Sequence, residues 1–426
     1  MASYRQRSCW SELPRDLISS IAKHLDSRLH VLRFRAVCSS WRASVPLPPT
    51  SPTFPKQLHF RINYPTNKPI PSFLISQMNV YRIRPPGFEA PSDQNCWFIK
   101  VEETKQQNKF CVLSPFSRHP IKNMPASFPR ELNHLSFNVE ETVQAFSIRQ
   151  RKDPDYAVND NNPLIRKIKL ASDFVSSNSA VAISRGNLCR LTADDRGNMC
   201  YKFDSNIKYR DIAYFNGKFF IVDLYGVISV RDENTFYLEE IRSPLDPMAP
   251  ECERYFVESC GHLYLVVRDF DICGDQVYYY RKIDGFVKET GDDHVPVKFR
   301  VYKRIPCCGV HQQNKYDWVE VNDLGDQVFF VSTDCSFSFS AQYSKGCHGN
   351  CIVYVDEITD IEHLLNKERC EEDNDNDELW ELKNGKVGLF NLADHSSGPL
   401  ELFPEYLAMF WPPPTWLTVD RGSSSS

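Results

Sequence analysis

Ile212-Ala-Tyr-Phe215, Asn216-Gly217, Lys218-Phe-Phe-Ile-Val-Asp223 and, after Gly226, Val227-Ile-Ser-Val230 spell strand, turn, strand, strand in one short stretch. Asn-Gly suits a two-residue hairpin turn because both central positions need positive φ, which glycine accepts freely and asparagine tolerates. The phrase returns at Tyr255-Phe-Val-Glu-Ser-Cys-Gly261-His-Leu-Tyr-Leu-Val-Val267. It returns again at Trp318-Val-Glu-Val and Gly325-Asp-Gln-Val-Phe-Phe-Val331. The turn glycines stand 44 residues apart (217 to 261) and then 64 apart (261 to 325). Propeller blades repeat every ~40–50 residues, and the longer interval contains a polar stretch, Asp284–Pro296, that reads as an insertion. The chain carries neither a Trp-Asp blade signature nor a kelch double glycine. A β-propeller is therefore the expected architecture, with a sandwich or stacked sheets as the alternative. Closure into a ring is favoured because it leaves few open strand edges.

Outward from this core, the chain divides into three regions. From about Cys96 to residue 420, short apolar and aromatic runs alternate with Gly, Asn and Asp turns, the rhythm of a large all-β domain. Eleven of the 28 prolines crowd between Pro46 and Pro91. That density excludes helix and reads as a proline-rich linker over 46–95. Residues 8–45 are helix-like, so the fold class is α+β in separate domains: a small helical module, then the β domain. A length of 426 residues with 42% hydrophobic, 13% aromatic and 25% charged composition accommodates both. Within the β domain, residues 368–378 form an acidic run that reads as a solvated loop. Lys386–Leu392, set off by Asn384-Gly385, reads as a late strand completing a blade begun near the amino terminus. Trp411-Pro-Pro-Pro-Thr-Trp416 cannot be central strand, since proline lacks the ladder donor, and its tryptophans are expected to pack as a plug.

In the helical module, Leu13-Pro14-Arg15-Asp16-Leu17-Ile18 opens a helix with Pro14 in its first turn. Leu17, Ile18, Ile21 and Leu25 fall at the i, i+4, i+8 spacing expected of one apolar face. Asp26 or Ser27 can cap a second helix through Leu29, Leu32 and Ala36, and Val37-Cys38-Ser39-Ser40-Trp41-Arg42 closes the unit. So short a trio cannot bury all these side chains by itself. Some of them need a partner surface.

These residues resemble the F-box, which begins Leu-Pro-x-Glu/Asp-Leu/Ile and ends Arg-x-Val-Cys-x-x-Trp-Arg, here Arg35 to Arg42. The remainder resembles plant F-box proteins with a large carboxy-terminal domain thought to be a β-propeller. That likeness rests on Trp97-Phe-Ile, Leu113-Ser-Pro-Phe-Ser117, Asp211–Asp223, Lys345–Tyr354 and Trp411–Trp416, with Ser114 where the family usually has Asn. The resemblance implies a substrate receptor of an SCF-type ubiquitin ligase. Leu13, Pro14, Leu17, Ile18, Ile21, Leu25, Leu32, Val37, Cys38 and Trp41 would bind a Skp-type adaptor, and through it a cullin–RING ligase. The β domain would hold an unidentified target protein, leading to its ubiquitination or to a scaffold role without degradation.

Rival chemistries leave fainter traces. There is no Gly-x-Ser-x-Gly elbow, phosphate-binding glycine loop or His-Glu-x-x-His, so a non-catalytic receptor is expected over a glycosidase-like propeller hydrolase, and no cofactor is expected. Cys307, Cys308, His311, Cys347 and Cys351 supply zinc-type ligands but no matched pair of Cys-x-x-Cys knuckles, and buried structural thiols are the favoured reading. A net charge of −5 draws the chain to no nucleic acid. Arg28, Arg33, Arg35 and Arg42 read as a solvated helical face. No signal-type or membrane-spanning apolar run occurs. Fifteen cysteines are then expected to stay reduced, in nucleus or cytoplasm.

Overall fold

The computed structural model describes residues 10–23, 25, 28–46, 56–59, 72–85, 96–104, 109–121, 124–129, 137–150, 165–170, 179–184, 186–192, 199–202, 207–242, 252–270, 279–282, 285–288, 297–306, 316–355 and 387–417. Three short helices lead: α1 (Arg15–Ala22), α2 (Arg28–Ala36) and α3 (Ser39–Ser44). Five sheets of four or five strands follow, the blades of a five-bladed propeller.

The first blade holds β1 (Lys56–His59), β2 (Ser72–Arg84), β3 (Trp97–Glu103), β4 (Phe110–Leu113) and β5 (Asn138–Gln150), with β5 along one edge of β2 and β3 along the other. The second runs in chain order through β6 (Ile165–Leu170), β7 (Ser179–Ser184), β8 (Asn187–Thr192) and β9 (Met199–Lys202). The third does the same with β10 (Tyr209–Phe215), β11 (Lys218–Asp223), β12 (Ile228–Asp232) and β13 (Leu238–Arg242). The fourth comprises β14 (Glu253–Ser259) and β15 (His262–Phe270), then β18 (Val297–Pro306) and β19 (Tyr316–Val321). Between its second and third strands lies a separate hairpin of β16 (Tyr279–Lys282) and β17 (Gly285–Lys288), the insertion that lengthens the repeat. The fifth contains β20 (Gln327–Val331), β21 (Ser336–Ser340), β22 (Cys351–Val355), β23 (Val387–Asn391) and β24 (Ser397–Pro399), in the order β21-β20-β22-β23-β24 with β20 and β22 parallel.

One strand of each blade meets its counterpart in the next: β5 on β6, β6 on β10, β10 on β14, β14 on β21 and β21 back on β5. This circuit closes the ring. Apolar clusters fill the gaps between blades. Val181 and Ile183 meet Phe219 and Ile221 between the second and third, and Phe220 and Val222 meet Phe256 and Leu265 between the third and fourth. Val257 and Phe299 meet Phe329 and Ile352 between the fourth and fifth. Strands buried on both faces explain why runs such as Phe219–Asp223 are continuously buried rather than alternating.

The β10–β11 turn has Asn216 at φ 50° and Gly217 at φ 75°, the positive pair the sequence demands. Cys260 (φ 48°) and Gly261 (φ 72°) repeat that geometry at the β14–β15 turn. Gly325 does not. It lies between β19 and β20, in different blades, so Trp318–Val321 and Gln327–Val331 are no hairpin. The fifth blade departs from the simple order, and the interval of 64 spans a blade boundary as well as the insertion.

Two further expectations are corrected. Residues 46–95 are not linker throughout, because Ser72–Arg84 is a thirteen-residue strand within the first blade. The prolines stop at Pro71 and resume at Pro85, leaving that stretch free to donate its ladder hydrogen bonds. Nor does Lys386–Leu392 complete a blade begun near the amino terminus. Val387–Asn391 pairs with β22 and β24 of its own blade.

Closure comes instead from side chains and a carboxy-terminal plug. Leu400–Leu402, a short 3₁₀ turn, leads into α4 (Pro404–Leu407), and Met409, Phe410 and Trp411 are buried with residues of the first and fifth blades. The Phe98 amide donates to the Met409 carbonyl at 2.7 Å and Trp97 Nε1 to the Phe410 carbonyl at 3.1 Å. Phe98 packs on Phe337, Phe339 and Phe410. Trp416, half-buried, lies 6.0 Å from Phe137. Trp411 thus packs in the cluster shared by the first and fifth blades, and Trp416 against the first blade.

Candidate functional site: the amino-terminal helical module

Pro14 is the residue preceding α1 rather than its first helical residue, with φ −56° and ψ 140°, and its carbonyl accepts the Ile18 amide at 3.1 Å. Asp16 places negative charge in the first turn, favourable to the helix dipole. Consecutive helical residues point ~100° apart, so Leu17 and Ile18 part company: Ile18 is fully buried, while Leu17 and Ile21 are 53% and 43% exposed.

Hydrogen bonds tie the three helices together. Ser19 Oγ donates to the Ser44 carbonyl at 3.0 Å, joining α1 to α3. Cys38 precedes α3 and its Sγ accepts the Trp41 amide at 3.5 Å, a thiol doing the work of a cap. Trp41 packs tilted against Phe34, ring centroids 4.3 Å apart, and donates from Nε1 to the Trp10 carbonyl at 3.0 Å. Arg35 donates to the carbonyls of Arg42, at 2.9 Å, and Val45. Arg33 donates from Nη2 to the Val139 carbonyl of β5 at 2.5 Å. Arg33 and Arg35 are therefore half-buried clasps rather than a solvated face: Arg35 satisfies carbonyls at the end of α3, and Arg33 one of strand β5.

The expected contact residues sort into two groups. Ile18 is interior, whereas Pro14, Leu17, Ile21 and Val37 (58%) are exposed. Leu13, Leu25, Leu32, Cys38 and Trp41 are half-buried between them. Leu17 and Ile21, four residues apart on α1, leave two aliphatic side chains in water on one side of that helix, and Val37 leaves a third just after α2. Asp26 and Ser27, the expected caps of α2, lie outside the described residues, as does the acidic run 368–378.

Of the zinc-type residues, Cys307, Cys308 and His311 also lie outside the described residues. Cys347 donates to the Glu405 carbonyl at 3.4 Å, and Cys351 lies 3.5 Å from the Tyr406 hydroxyl. Burial pushes the Cys347 thiol up to about 12 and raises Cys351 as well. These are protonated thiols with protein partners, and among the described residues no three His, Cys, Asp or Glu side chains converge to hold a metal. Nine described cysteines form no disulfide. Among the described residues no helix is long and apolar enough to cross a membrane.

Buried charge within the propeller was invisible in the sequence. Lys100 of β3 ion-pairs with Asp334 of the fifth blade and donates to the Ser117 carbonyl at 2.7 Å. Lys167 of β6 lies 2.6 Å from Asp211 of β10, whose other oxygen accepts the Phe256 amide of β14 at 2.6 Å. Each pair staples neighbouring blades. At Leu113–Ser117, Ser114 Oγ accepts the Phe116 amide at 3.2 Å. Serine thereby supplies the turn bond that asparagine makes elsewhere.

A five-bladed propeller led by a three-helix module with exposed aliphatic side chains is the class these features define. Residues 72–391 match the family model described as the KIB1-4 β-propeller, and the chain belongs to that plant family of F-box proteins with a carboxy-terminal propeller. It is 28% identical to F-box protein SKIP23 of Arabidopsis thaliana, over 96% of this chain and 95% of that one. It is also 28% identical to the Arabidopsis F-box protein At2g17036, over 97% and 96% respectively. A solved glutaminyl cyclase from Myxococcus xanthus overlaps 41% of this chain and 61% of its own at 14% identity, with a TM-score of 0.20, which bears on neither fold nor activity.

Proposed function

We propose that the chain is a non-catalytic substrate receptor of an SCF-type ubiquitin ligase. The helical module binds a Skp-type adaptor and the propeller recruits a target protein. The observation that carries this reading is the exposure of the aliphatic Leu17, Ile21 and Val37 on a module with the F-box order of residues. The adaptor bridges to a cullin–RING ligase, and the half-buried Leu13, Leu25, Leu32, Cys38 and Trp41 flank the contact. Acceleration then comes from proximity, since tethering raises the local concentration of a target lysine near the charged conjugating enzyme. Described cysteines that form no disulfide fit a reducing compartment, so the nucleus or cytoplasm is the expected location.

The test is the double variant Leu17→Ala/Ile21→Ala in the full chain. Both side chains are exposed, so the module keeps its fold by circular dichroism. Two anchors at about 2 kcal/mol each amount to roughly a thousandfold in adaptor affinity. Adaptor binding unchanged in the double variant, or absent in the native chain, would overturn the assignment.

A further inference from the structure

Arg33 of α2 reaches across to β5, where its Nη2 donates to the Val139 carbonyl at 2.5 Å. The Val139 side chain is itself buried, with Trp97 and Leu417, so the carbonyl that Arg33 takes belongs to a fixed part of the first blade. Next along β5, Glu140 ion-pairs with Arg82, whose guanidinium sits 4.0 Å above the Tyr343 ring. Tyr343 accepts the Cys96 amide across the closing seam at 3.2 Å. The Val139 carbonyl that Arg33 takes thus lies one residue from a side chain linked through Arg82 to the fifth blade.

We infer that Arg33 is a positioning residue that seats the helical module on the first blade, so that a bound adaptor and the propeller hold one fixed relative orientation. This rests on the proposed adaptor-binding reading. It adds that the distance from target to conjugating enzyme is set by a contact within this chain, not by the adaptor. A fixed span matters because effective concentration depends on whether the geometry lets both ends engage at once. Arg33 is not among the exposed aliphatic side chains, so its replacement leaves adaptor affinity unchanged.

The experiment uses the full chain bound to a purified, donor-labelled Skp-type adaptor. The acceptor is carried by a ketone-bearing residue in place of the exposed Tyr237, which avoids the fifteen cysteines. Single-molecule energy transfer is expected to give one narrow distribution for the native chain and at least a twofold broader one for Arg33→Ala, at adaptor affinity within twofold of native. Arg33→Lys, which can still donate to the carbonyl, recovers most of the narrowing. A broad distribution in the native complex, or a narrow one in Arg33→Ala, overturns the seating. Failure of the adaptor to bind the native chain instead strikes the functional reading on which it rests.

Discussion

Replacing Asp334 with alanine strands a buried ammonium. Lys100 has no side-chain exposure, and its remaining acceptor would be the Ser117 carbonyl at 2.7 Å. Removing one partner of a buried ion pair costs about 3–5 kcal/mol, a large share of the ~5–15 kcal/mol that holds a domain together. Lys100→Met should cost less, because Asp334 keeps the Ser332 hydroxyl at 2.6 Å and Arg118 at 3.9 Å. The double variant Lys100→Met/Asp334→Leu should be more stable than Asp334→Ala alone, since no ammonium is then left unpaired. Urea unfolding of the full chain, followed by tryptophan fluorescence, measures all four proteins. The pH dependence has a definite sign. Burial works to raise the Asp334 carboxyl, but the charges of Lys100 and Arg118 outweigh it and hold it well below the usual range. Burial likewise works to lower Lys100, and Asp334 outweighs it and raises the ammonium. Stability from Asp334 is therefore present above the unfolded value of about 3.9 and lost as pH falls towards the lower folded one. That from Lys100 is fully present below about 10.4 and lost as pH rises through the higher folded value. The seam argument fails if Asp334→Ala stays within about 1 kcal/mol of native, or if the double variant is as unstable as the two single losses added.

Gly388→Ala should destabilise the fifth blade by roughly 1–3 kcal/mol or more, because a Cβ there would meet the Tyr354 ring at 2.3 Å; thermal unfolding reads the loss. Ending the chain at Asp377 removes β23, β24 and the plug, and should abolish protease resistance of the propeller while adaptor binding persists. Trp411→Ala should cost about 3–5 kcal/mol and Trp416→Ala visibly less, since only the first is fully within the core. Timed alkylation of the native protein at pH 8 should modify the exposed Cys260 quickly. Cys252 and Cys347, each pushed up to about 12 by burial, should react slowly.

The hairpin at Asn216-Gly217 was readable because turn chemistry and apolar pattern agree there. Its partner at Cys260-Gly261 uses a cysteine with positive φ, which no propensity rule suggests, and only the glycine announced it. The strand Ser72–Arg84 was hidden by the prolines on either side, although its thirteen proline-free residues were a usable signal. The helical module was legible from its motif, but not which of Leu17 and Ile18 faces inward. That choice depends on the partner helices, to which a single helix's spacing is blind. Lys100, Lys167, Asp211 and Asp334 looked like surface residues, because a pairing between blades far apart in sequence leaves no local trace. Arg33 escaped for the same reason, its acceptor lying 106 residues away.

Trp97 and the Phe410 carbonyl that it bonds are separated by 313 residues. A ribosome adding ~5–20 residues per second needs roughly 15–60 s to travel between them. During that interval the first blade presents Phe98, Phe116 and Met78 without the side chains that will cover them. The three amino-terminal helices, made before the propeller, can meanwhile fold by short-range contacts. Newborn chains should therefore have a folded helical module before they have a closed propeller, and any stall before the last forty or so residues exposes apolar surface to chaperones and proteases. Quality control of this protein is thus written into the order in which its ends are made.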